Sequence, residues 1–73
     1  MTDDEKRERI VDAVTSIVGK DGVQGATTAR IAATVGVSEP TLYRTFRDRK
    51  GMLLAAADEI WRQRHEELES VEA

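Results

Sequence analysis

The chain has 73 residues, no cysteine and a net charge of −3, which describes one small domain with neither a disulfide framework nor a thiolate metal site. No apolar run approaches membrane-spanning length, and the N-terminal MTDDEKRE is too polar for a signal peptide, so a cytoplasmic location is expected. Five glycines, one proline and no alternating apolar pattern point to an all-α domain.

In chain order, the spacing predicts a first helix over about Asp3 to Gly19. Thr2 and Glu5 fit a capping box at its start. Ile10, Val14, Ile17 and Val18 form one apolar stripe, with Val11 and Ala13 beside it. Gly19, Gly22 and Gly25 interrupt the pattern. A second helix follows over about Thr28 to Val35. Thr27 or Thr28 can cap it, because a side-chain oxygen there accepts from an otherwise unpaired N–H. Ile31, Ala32 and Val35 recur at helical spacing, and Gly36 suits the left-handed turn that ends a helix. Ser38 caps a third helix over about Glu39 to Phe46, with Pro40 in its first turn, where no N–H is needed. Asp48 caps a fourth, over about Arg49 to Glu69. Met52, Leu53, Ala56, Ala57, Ile60, Trp61 and Leu68 are its expected buried face. Two short helices joined by a Gly turn make a helix-turn-helix over about residues 27–47, and the second helix of such a unit can enter the DNA major groove. Ile31, Ala32, Val35, Val37, Leu42 and Phe46 are expected to pack this unit on the first and fourth helices.

The negative net charge argues against nucleic acid until the chain is divided. Residues 1–26 hold four basic residues against six acids, net −2. Residues 27–50 hold five against two, net +3, and residues 51–73 hold two against six, net −4. The basic charge gathers on the helix-turn-helix, and distribution decides more than the sum. The acidic ends are expected to weaken non-specific binding, which phosphate neutralisation dominates.

TTARIAATVGVSEPTLYRTF followed by RDRKGMLL resembles the DNA-binding domain of tetracycline-repressor (TetR) type transcriptional regulators. The matching elements are the Thr pair, Ile31-Ala32, Gly36-Val37-Ser38, Thr41-Leu42-Tyr43, Phe46 and the basic residue three positions after it. The segment from Arg9 to Gly25 also fits that family's first helix and its Gly-containing exit. The resemblance covers roughly residues 7–55. It implies a homeodomain-like three-helix core with a longer fourth helix, and a sequence-specific regulator of transcription, most often a repressor. It also implies a homodimer for an intact regulator. In that family a larger helical domain binds a small-molecule effector and forms the dimer. These 73 residues are not expected to hold that domain, whether they are a fragment or a free-standing reduced version, so the chain alone is expected to be a monomer or weak dimer on double-stranded operator DNA.

The candidate base contacts are Glu39, Pro40, Thr41, Arg44 and Thr45, read as one face of the third helix opposite Leu42 and Phe46. Arg44 suits guanine O6 and N7. Thr41 suits a thymine methyl or a phosphate. Glu39 suits cytosine N4, or repels phosphate and sharpens selectivity. Pro40 stands where many family members have Gly. The candidate phosphate contacts are Thr28, at a helix N-terminus where free N–H groups favour an anion, with Tyr43, Arg47, Arg49 and Lys50. Tyr43 can equally pack under the turn with its hydroxyl in water, and Arg47 and Lys50 can equally be plain surface charges.

No Ser-His-Asp set, phosphate loop or paired carboxylates stand out, so no catalysis and no cofactor are expected. His65 is the only histidine, too little for a metal site, and is read as a surface residue. The rival function is a helical protein-interaction module in which the helix-turn-helix is only scaffold. The acidic ends and the far half of the last helix would then bind a protein. The concentration of net +3 on one short motif favours DNA.

Overall fold

The computed structural model describes residues 2–72, with side chains described to residue 66. The order is α1 (Asp3–Asp21), a single 3-10 turn (Val23–Gly25), α2 (Thr28–Val35), α3 (Glu39–Thr45) and α4 (Arg49–Glu72). No strand occurs among the described residues, so the fold is all-α as the sequence indicates. No described helix is long and apolar enough to cross a membrane.

Side chains close all four helix starts. Thr2 Oγ1 accepts from the Glu5 N–H at 3.2 Å, which is one arm of the expected capping box. Thr27 Oγ1 accepts from the Arg30 N–H at 3.2 Å, so Thr27 is the cap of α2 and Thr28 lies inside the helix. Ser38 Oγ accepts from the Thr41 N–H at 3.4 Å, and Asp48 Oδ1 from the Gly51 N–H at 2.8 Å. Gly36 ends α2 with φ 87° and ψ 33°, the left-handed conformation that costs a Cβ-bearing residue energy. There the N–H groups of Gly36 and Val37 both donate to the Ala32 carbonyl, at 2.8 and 3.0 Å.

The ends differ in places from the sequence expectation. α1 runs through Gly19 to Asp21 and stops only at Gly22, where φ is 78°. An interior Gly costs a helix about 1 kcal/mol, too little to break one held by a buried stripe. The chain then makes the 3-10 turn, which the sequence reading lacks. α3 ends at Thr45, because Phe46 is already extended, with φ −124° and ψ 135°. α4 continues to Glu72, past the expected end at Glu69.

The core is one cluster. Ile10, Val14 and Ile17 of α1 meet Ile31 and Ala32 of α2, Leu42 of α3, Phe46, and Met52 and Ala56 of α4, with Ala26 sealing the entry to α2. Val35, Val37 and Leu53 pack against it half-buried. The expected buried face of α4 is only partly buried. Met52 and Ala56 are in the core, but Ala57, Ile60 and Trp61 are exposed, and the side chain of Leu68 lies outside the described residues. Ala57 and Ile60 instead border an open apolar groove of about 310 Å³ with Val18, Val23, Leu53 and Leu54. The Trp61 ring meets His65 edge-on, with centroids 4.6 Å apart, and His65 is exposed.

Candidate nucleic-acid interface

α3 is a seven-residue helix held from beneath by Leu42 and by Phe46 just past its end. At 3.6 residues per turn, Arg44 stands opposite that buried side. Pro40, Tyr43 and Arg44 are exposed, and Tyr43 retains 47% of its surface. Thr41 and Thr45 are half-buried flanks rather than part of the outermost face. Thr45 Oγ1 donates to the Thr41 carbonyl at 3.3 Å, and the hydroxyls of Thr41 and Ser38 pair at 2.9 Å. Glu39 does not share the Arg44 face. Helical geometry brings it round towards the side of Leu42 and Phe46, at the end of α3 nearest α2. There its Oε1 accepts from the Thr28 hydroxyl at 2.8 Å. One expected phosphate contact and one expected base contact are thus joined to each other.

Arg49 opens α4 and is half-buried. Its Nε donates to the Ala26 carbonyl at 2.9 Å and its Nη2 to the Val23 carbonyl at 2.8 Å. Two of its three nitrogens therefore fasten α4 to the 3-10 turn and the entry to α2, and among the described residues Nη1 has no hydrogen-bond partner. Arg47 is exposed in the bend before α4. Lys50 is exposed but borders the apolar groove beside Val23 and Leu54. Among the described residues, no ion pair takes up Arg44, Arg47, Arg49 or Lys50. The pairs that form are Arg30 with Asp21, and Arg62 with Asp58 and Glu59.

Arg7 is a neighbour of this site that no sequence motif marks. Its guanidinium lies 4.5 Å from the centre of the Phe46 ring, a cation–π contact that covers the exit of α3. A shallow cleft beside it gathers Asp3, Asp4, Lys6 and Arg7 of α1 with Arg44 and Thr45 of α3. Mixed charges therefore flank Arg44 on the α1 side. No local signal marks this contact, because Arg7 and Phe46 are 39 positions apart.

The profile of a family described as "Bacterial regulatory proteins, tetR family" matches residues 10–56. Similar curated proteins include the tetracycline repressor protein class D of Escherichia coli, 33% identical over 60 residues. That match covers 82% of this chain and 28% of the repressor. The HTH-type transcriptional regulator BetI of Cronobacter sakazakii is 36% identical over 58 residues, covering 80% of this chain and 29% of BetI. The nucleoid occlusion factor SlmA of Pasteurella multocida is 39% identical over 57 residues, covering 77% of this chain and 29% of SlmA. The chain spans less than a third of the length of these three relatives. No solved structure matches it.

Proposed function

The chain belongs to the tetR family of bacterial regulatory proteins, and we propose from that premise that it reads a DNA operator with α3 in the major groove. It is a DNA-binding domain of a transcriptional regulator and not an enzyme. The observation that best supports the finer reading is Arg44, exposed at the outermost line of α3 and free of ion pairs among the described residues. Its guanidinium matches guanine O6 and N7. Pro40 and Thr41 offer apolar contact to a thymine methyl, and Thr45 a flanking hydroxyl.

Thr28, Tyr43, Arg47, Arg49 and Lys50 are the proposed phosphate contacts. Lys50 is the most remote in kind, given its place beside the apolar groove, and acts through its charge. Arg49 has its geometry set by two carbonyls, so it presents Nη1 and its charge from a fixed position. The intact regulator is proposed to be a cytoplasmic homodimeric repressor, with its effector bound outside this domain. Selection of binding sites from random duplexes, with and without a fused dimeric coiled coil, tests the reading. A recovered consensus with a guanine in each half-site supports it, and recovery of random sequence contradicts it.

A further inference from the structure

The Thr28 hydroxyl donates to Glu39 Oε1 at 2.8 Å, across 11 residues and between the first residues of two helices. We propose that Glu39 is an anionic placeholder at Thr28, which a DNA phosphate must displace before the duplex seats. The inference rests on the DNA-binding reading above and adds to it a way of making a phosphate contact depend on sequence.

A threonine hydroxyl has one proton to donate. Carboxylate and phosphate oxygens are both acceptors, so Thr28 serves one of them at a time. Once displaced, the Glu39 carboxylate stands near the phosphates as a like charge, which is unfavourable on any sequence. Only a donor in the groove reverses this, and among base-edge donors cytosine N4 is flanked by an acceptor on one side only, guanine O6 of its own pair, whereas adenine N6 is flanked on both. Glu39 is exposed, so nothing packed on it prevents the swing. Its position, turned from the Arg44 face towards α2, suits a side chain with two stations: Thr28 without DNA and a base edge with it. On a site with cytosine in reach the lost hydrogen bond is replaced. On other sequences it is not, and the phosphate contact at Thr28 forms at a penalty. Glu39 thereby lowers affinity for non-specific DNA more than for the operator.

Thr28→Val, Glu39→Ala and the double variant of the full chain test this. Without DNA, the carboxyl carbon of Glu39 is observed by NMR. Its resonance is expected to move in Thr28→Val, and an unmoved resonance overturns the proposal. With labelled duplexes, Glu39→Ala is expected to tighten binding of a scrambled duplex roughly two- to fivefold, the scale of one exposed charge interaction. Affinity for the selected duplex should gain less. In the Thr28→Val background the gain on scrambled DNA should shrink towards none. An equal gain in both backgrounds overturns the proposal, since Glu39 would then act only as a distant charge. Failure of the DNA-binding reading shows separately, as equal wild-type affinity for both duplexes. The carboxyl resonance judges the placeholder in that case too.

Discussion

Arg49 Nε stands 2.9 Å from the Ala26 carbonyl oxygen, 23 residues earlier in the chain. With the Nη2 contact to Val23, this ties the start of α4 to the turn that leads into α2. Hydrogen bonds from a charged group contribute more than neutral ones, although the partial exposure of Arg49 reduces the effect. Arg49→Ala is expected to destabilise the domain by about 1–2 kcal/mol, a fall in Tm of roughly 4–16 °C for a domain of this size. It should also weaken binding to all duplexes alike and lower the salt slope by about 1. Thermal melts and titrations at several salt concentrations check both. A lower Tm with an unchanged slope would restrict Arg49 to holding the two elements together.

Gly36 isolates a backbone effect. A Cβ built there meets nothing within 4 Å, so any cost of substitution comes from its φ of 87° and not from a clash. Asn tolerates this conformation, Ala less so, and a β-branched residue least. Stability is expected to fall in the order Gly, Asn, Ala, Val, with Gly36→Val costing well over about 1 kcal/mol. Urea denaturation of the series measures it. Equal midpoints for the Asn and Val variants would mean that the turn is not left-handed.

The apolar surface bordering α4 bears on assembly. Leu54 is 60% exposed, Trp61 62% and Ile60 41%. A stable interface buries about 800 Å² on each partner, and three partly exposed apolar side chains beside a groove are expected to supply less. The chain by itself is expected to sediment as a monomer or weak dimer at micromolar concentration, and to bind DNA well below the affinity of a dimeric regulator. Fusion of a dimeric coiled coil after Glu69 should restore tight binding through effective concentration. A tight dimer of the unfused chain in sedimentation would contradict this.

The fold was legible where it depends on near neighbours in sequence. Thr27, Ser38 and Asp48 cap residues three positions ahead, and Gly36 closes on Ala32, so local chemistry marks those ends. The helix of α1 outlasts Gly19 because burial of Ile17 outweighs a local preference. The exposed Ala57, Ile60 and Trp61 show the opposite limit. Apolar spacing marks a face but does not say whether another element covers it. The exposure of the candidate residues was equally legible: Pro40, Tyr43 and Arg44 stand out because Leu42 and Phe46 turn inward. The contacts that set its geometry were not. Arg49 with Ala26, Arg7 with Phe46 and Thr28 with Glu39 join residues 11 to 39 positions apart, and only the packing of the helices brings them together.

The proposed reading of bases by α3 turns on Arg44. Fluorescence anisotropy of a selected and a scrambled duplex, each titrated with wild type and Arg44→Ala, tests it most directly. Wild type is expected to bind the selected duplex more tightly. Arg44→Ala is expected to lose roughly 1–3 kcal/mol on that duplex, with preference relaxed at one base position and little change on scrambled DNA. Equal wild-type affinity for the two duplexes, or an Arg44→Ala loss of the same size on both, would contradict it.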